Sequence, residues 1–341
     1  MNNSTDMPIA FGSISARKRI YIQSQIHSNE THGTPVLFGL IKKLEGINVE
    51  GEVVIWPCVN EEGFHDYCIS RKGLFDPDNG QNWNRIEFSY FNPIVSYFES
   101  KKERVESKED IEKLIDNLDL KLIEGDYGIK KHVYNFWEPL KIALKSKYII
   151  DIHTPEFGVE HLYCNKETAF VKSFNISPII IDDTDSATFR NFMIKLLNSL
   201  AQIKNKSFAE YFWDREVVTV ELPSHKYIDD EYIYNWSERF LNILSTSEFI
   251  DKREIKEQTM SEEQIYNIKS LKYYYAKTDG IIIMMVPIGS IIEKNEVFLK
   301  IISIDGGQQL VRAVNKGKFL CFRDKKMTLR GEWIARVLEF D

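Results

Sequence analysis

Four residues with metal-binding or acid–base side chains each follow a β-rich apolar run: His27 and Glu30 after the run 20–26, His153 after 148–152, and Glu221 after 217–220. Strand ends on one side of an open α/β sheet share a crevice, so residues this far apart in sequence can converge there. A hydrolytic zinc site takes three protein ligands from histidine and carboxylate and leaves one position for water. His27 and Glu30, three apart just after a strand, can be aimed at one ion by a turn or a first helical turn, and His153 supplies the third ligand. Taken alone, His27 reads better as a structural histidine; the placement of all three residues is what points to a metal.

A metal-activated water needs a base that takes its proton and later delivers one to the leaving amine. Glu221, ending the run Val217-Val218-Thr219-Val220, is a costly residue to bury without a task or partner, and is the candidate base. Asp151 precedes His153 by two, so on a strand both side chains leave the same face; it reads either as the group that orients the histidine or as an ordinary buried carboxylate. Asn84 and Arg85 close the polar loop 76–83, where an arginine fork grips a substrate carboxylate, and Arg71 in the same long loop can polarise the scissile carbonyl. From loop position alone, each arginine reads more readily as a surface ion-pair partner than as a substrate contact. His32 does not fit as a fourth ligand, because a closed site would leave no position for water.

The elements that must position these residues follow an α/β pattern. The first strand run ends at His27, Pro35 opens an apolar helix through Leu44, Gly46 follows its end, and Val53-Val54-Ile55-Trp56 resumes a buried strand. Continuous apolar strands alternating with helices predict a mostly parallel, mixed sheet covered by helices on both faces. Between 95 and 133 a charged insertion, with Ile111, Leu114, Ile115 and Leu118 at helical spacing, predicts an amphipathic surface helix. After residue 270 short β-like runs punctuated by glycine predict a small all-β domain over 270–341, with the charged stretch 251–264 connecting it to a catalytic domain over 1–265.

At 341 residues the chain exceeds the ~250–300 at which single cores split, which supports two domains. Its net charge of −7, with mixed signs, gives no basic footprint for nucleic acid or an anionic membrane surface. Four cysteines without a C-x-x-C pair predict reduced thiols rather than a disulfide framework. The absence of a leader pattern and of a long apolar run leads us to expect a cytoplasmic protein with no membrane partner. A homo-oligomer is left open.

Taken in order, these segments resemble the succinylglutamate desuccinylase/aspartoacylase family of the zinc carboxypeptidase superfamily: Gln25-Ile26-His27-Ser28-Asn29-Glu30-Thr31-His32-Gly33, Asn60-Glu61-Glu62-Gly63-Phe64, Arg71, Asn82-Trp83-Asn84-Arg85, Asp151-Ile152-His153-Thr154 and Val218-Thr219-Val220-Glu221-Leu222. The tail from Lys277 resembles the family's C-terminal β-domain, of biotinyl/lipoyl-barrel type. The resemblance implies a zinc carboxypeptidase-like fold and a one-zinc amidohydrolase acting on an N-acyl amino acid or similar small carboxylate-bearing amide. It further implies His27, Glu30 and His153 on zinc, Glu221 as base, and Asn84, Arg85 and Arg71 on the substrate. Four positions depart from the family pattern. Gln25 and Ser28 stand in place of two glycines, Asn82 in place of an aspartate, and Glu61 in place of a proline. A metallocarboxypeptidase acting on short peptides or cell-wall fragments would use the same residues, and a zinc-binding protein without catalysis is the third alternative.

Overall fold

The computed structural model describes residues 8–13, 18–77, 80–86, 88–119, 121, 131–224, 227–251, 264–323 and 327–340, except 71–72. Nine strands belong to the larger part: β1 (Ile9–Gly12), β2 (Arg19–Ser24), β3 (Glu52–Trp56), β4 (Tyr148–His153), β5 (Phe157–Gly158), β6 (His161–Cys164), β7 (Ile179–Ile181), β8 (Glu216–Glu221) and β9 (Ile265–Asn267). All but β5 form one eight-stranded sheet in the order β1-β3-β2-β4-β8-β6-β7-β9. Its centre, β3-β2-β4-β8, is parallel, and β6 joins β8 antiparallel. The sheet is thus mixed and mostly parallel, as the apolar runs predict.

The helices are α1 (Gly33–Leu44), α2 (Glu61–Ser70), α3 (Phe91–Lys101), α4 (Lys108–Asp116), α5 (Lys131–Lys145), α6 (Ala169–Lys172), α7 (Phe189–Ala201), α8 (Lys206–Phe212) and α9 (Asp230–Thr246). Successive strand residues alternate between two buried faces, which is why the strands read as unbroken apolar runs. Ile20, Ile22, Ile150, Ile152, Val218 and Val220 pack under α1, α6 and α9, whereas Tyr21, Ile149 and Val217 pack under α3, α4, α5, α7 and α8. The charged segment forms α4, started by a reciprocal capping box between Ser107 and Asp110, and its Ile111 and Ile115 are fully buried. The connecting stretch 252–263 lies outside the described residues.

The β-rich tail forms β10 (Leu271–Tyr275), β11 (Gly280–Met284), β12 (Ile291–Ile292), β13 (Val297–Ser303), β14 (Gln308–Arg312), β15 (Gly317–Phe322), β16 (Met327–Thr328) and β17 (Trp333–Glu339), in two antiparallel sheets around a core of their own. This tail is sewn to the α/β part. β15 pairs with β5, and Leu271, Leu320 and Leu338 share a small core with Tyr163 of β6 and Ile180 of β7. No helix among the described residues is long and apolar enough to cross a membrane. The cysteines are free, with Cys164 and Cys321 buried.

Candidate metal centre

Strand register does most of the positioning. In the parallel pairing of β4 with β8, His153 lies opposite Glu221 and Asp151 opposite Thr219. All four side chains therefore leave the same sheet face at the carboxyl end of the strands. β2 supplies Gln23, in register with Asp151, on that face.

His27 and Glu30 arrive from the turn after β2, which stops at Ser24, earlier than the apolar run suggests. The reason is Gln25, whose φ of 63° ends the extended backbone. The left-handed region costs a non-glycine residue roughly 1–2 kcal/mol. The buried Gln25 amide offsets this locally: Nε2 donates to Ser28 O at 2.9 Å, and Oε1 accepts from the Thr34 hydroxyl. The turn is also tied to a distant loop, because Ser28 N and Oγ donate to Gly73 O at 3.0 and 3.1 Å. A Cβ on Gly73 would come within 2.2 Å of Asn29 Cβ, so that approach requires glycine.

The side chains of His27, Glu30 and His153 meet, and one potential ligand atom from each lies within 4.8 Å of the others. His27 Nδ1 is 2.8 Å from Glu30 Oε1, and His153 Nδ1 is 2.7 Å from Glu30 Oε2. The opposite ring nitrogens face oxygen acceptors: His27 Nε2 is 3.0 Å from Asn82 Oδ1, and His153 Nε2 is 3.0 Å from Asp151 Oδ2. Asp151 is itself held by Gln23 Nε2 at 2.9 Å, and Glu30 Oε2 accepts from Thr154 N at 3.1 Å.

This arrangement fits a divalent metal. Outer acceptors place the proton on each Nε2, which leaves both Nδ1 lone pairs pointing at the Glu30 carboxylate. A cation between them resolves that repulsion, and two neutral nitrogens with one anionic oxygen are a zinc donor set with one coordination position left open. The same crowding shifts the titration of Glu30 and His153. Burial alone would raise Glu30, but His27 and His153 outweigh it and hold the carboxyl well below the usual range. Burial would likewise lower His153, yet Asp151 and Glu30 raise it well above an ordinary histidine.

Glu221 lies beside the trio. Burial raises its pKa, with Glu30 adding and His153, Arg336 and His27 opposing. Asn84 is buried, with Oδ1 accepting from Phe189 N at 2.7 Å and Nδ2 3.3 Å from His153 Nε2. The adjoining Arg85 is exposed and donates through Nη1 to Asn84 O at 2.6 Å. Arg71 lies outside the described residues. His32 precedes α1, edge-on to Tyr232 and outside the trio. The sequence motifs do not single out Gln23 or assign Asn82 a role. A glutamine inside an apolar strand is the one signal that marks the first.

No protein-family profile matches the chain, and no curated protein does. Solved structures do. One is a Shewanella frigidimarina NCIMB 400 protein described as a succinylglutamate desuccinylase/aspartoacylase. It is 21% identical with a TM-score of 0.79, over 97% of this chain and 91% of that one. Another, assigned to the same family from Shewanella amazonensis SB2B, is 17% identical with a TM-score of 0.77, over 97% and 93%. The chain has the fold of these proteins. A product-bound ectoine utilization protein from Ruegeria pomeroyi shares it at 15% identity and a TM-score of 0.63, over 96% and 87%. The family named in the first two is the one that the motifs resemble.

Proposed function

We propose that the protein is a member of the succinylglutamate desuccinylase/aspartoacylase family and a zinc-dependent amidohydrolase that removes the acyl group from an N-acyl amino acid or similar small carboxylate-bearing amide. The observation that carries this is the convergence of two histidine Nδ1 atoms on one carboxylate, with each Nε2 already facing an acceptor. His27, Glu30 and His153 hold the ion. Zinc bound there supplies Lewis acidity for a water and for the scissile carbonyl.

Glu221 takes the proton from the attacking water and delivers it to the departing amine, a double duty suited to a carboxyl whose pKa is raised. Arg85 grips the carboxylate of the amino-acid half, with Asn84 contributing its Nδ2, and Arg71 steadies the oxyanion. Phe189 N–H fixes Asn84, and so fixes the start of the segment that presents Arg85.

The test is an amine-release screen of zinc-loaded protein over N-acetyl and N-succinyl amino acids beside dipeptides and tripeptides. Release from the N-acyl amino acids is expected. Release from the peptides alone would make the protein a carboxypeptidase, and release from none would overturn the hydrolase assignment.

A further inference from the structure

The antiparallel pairing of β6 with β8 sets His161 opposite Glu221 and Tyr163 opposite Thr219, so β6 continues the face of the metal centre. Arg336 of β17 donates to the Tyr163 hydroxyl at 3.1 Å. A second guanidinium, that of Arg190, lies over the Tyr163 ring, 5.8 Å from its centroid. By local rules Arg190 is badly placed. It is only 3% exposed, and it sits in the first turn of α7, where the helix dipole disfavours positive charge.

Asp182, directly after β7, offsets both costs. Its Oδ2 accepts from Arg190 Nη2, its Oδ1 accepts from Thr184 N at 3.0 Å and Thr184 Oγ1 at 2.7 Å, and its own N–H donates to Cys164 O at the end of β6. Burial opposes ionisation of Asp182, yet Arg190 and Thr184 hold its carboxyl below the usual carboxylate range. Asn191, next to Arg190, donates through Nδ2 to Thr184 O at 3.0 Å and to Ser186 Oγ at 2.5 Å. Together the three side chains clasp the loop 182–188 to a strand end on one side and to a helix start on the other.

That loop holds the segment assigned to the substrate. Thr188 caps α7, and the backbone on either side of it grips residues 84–86: Ala187 O accepts from Ile86 N at 2.8 Å, and Phe189 N donates to Asn84 Oδ1 at 2.7 Å. These two bonds bracket Arg85. A buried ion pair is weak evidence for stability, whereas selecting one arrangement among several is its better-supported use. No hydrogen bond or ion pair joins Asp182, Arg190 or Asn191 to His27, Glu30 or His153 among the described residues.

We propose that Asp182, Arg190 and Asn191 are positioning residues that set the loop bracketing Arg85 and so aim its guanidinium at the substrate carboxylate, leaving the metal centre to other supports. The inference rests on the carboxylate role proposed for Arg85 but not on hydrolysis.

The test is calorimetric binding of two hydroxamates to the zinc-loaded full chain. Succinic monohydroxamate and butyrohydroxamate share a four-carbon chain and a zinc-binding head. Only the first ends in a carboxylate, at the spacing that separates the amide carbon from the carboxylate carbon of an N-acyl amino acid. The wild type is expected to bind it about tenfold more tightly, and Arg85→Ala to bring the ratio to about one. Arg190→Met and Asn191→Ala are expected to bring the ratio below about threefold while butyrohydroxamate affinity and zinc content stay at wild-type values, with Arg190→Lys intermediate. Asn191→Ala leaves the ion pair in place and carries the test if Arg190→Met does not fold. Ile115→Ala, in the buried face of α4, is expected to lower Tm and keep the ratio. An unchanged ratio in Asn191→Ala, with Tm lowered, would make the clasp a structural feature only and overturn the proposal while leaving Arg85's role standing. A wild type without preference for the carboxylate overturns both. A preference that depends on the clasp, without amine release from any amide, would sink the amidohydrolase reading and leave the clasp's role standing.

Discussion

The two histidines of the centre are mounted in different ways. His153 sits at the end of a central strand, and a buried carboxylate, Asp151, faces its Nε2 and is itself fixed by Gln23 from the next strand. His27 sits on a turn opened by a left-handed glutamine, and a neutral amide, Asn82, faces its Nε2. A carboxylate makes its imidazole a stronger donor to a metal than an amide does. The strand side is therefore expected to set affinity and the turn side to set geometry.

The largest effect lies on the strand side. Glu221→Ala is expected to reduce turnover by roughly 10²–10⁴-fold while the zinc content stays at that of the wild type. Loss of the metal along with activity would make Glu221 a ligand rather than a base. A smaller contrast separates the two mounts. Asp151→Asn is expected to weaken zinc binding about 10–100-fold in chelator competition, and Asn82→Asp to strengthen it. Equal and opposite responses would support the asymmetry, and no change in either variant would remove it.

On the turn side, Gln25→Gly relieves the positive φ but removes two buried hydrogen bonds, each worth about 1 kcal/mol. We expect a net loss of about 1 kcal/mol in denaturant unfolding. A gain would show that backbone strain outweighs those bonds.

The smallest effect uses a third histidine on the same face. Burial, with Arg336 and Lys318 adding, lowers His161 from 6.5 to about 3, the reverse of His153. A depressed histidine leaves the unfolded chain binding more protons between those values. Its penalty is absent above 6.5 and grows as pH falls toward 3. His161→Phe is therefore expected to lose less Tm than the wild type between pH 7 and 5; parallel curves would contradict it.

The strand side was also the more legible in sequence. Tyr148–His153 and Glu216–Glu221 announce themselves as apolar runs, and period-two geometry puts Asp151 with His153. The turn side was legible only as a motif, since no local rule says that Gln25 adopts a left-handed conformation or that Asn82 crosses 55 positions to His27. Register hid the rest. β5 pairing with β15, and β17 placing Arg336 on Tyr163, depend on how two sheets dock, and the only local sign is an arginine within the apolar strand Trp333–Glu339.

The centre itself is tested most directly by elemental analysis of the purified chain after zinc reconstitution and dialysis, beside His153→Ala. The convergence of His27, Glu30 and His153 predicts about one tightly held zinc per chain, lost in the variant. A chain that retains no zinc, or a variant that retains as much as the wild type, would contradict it.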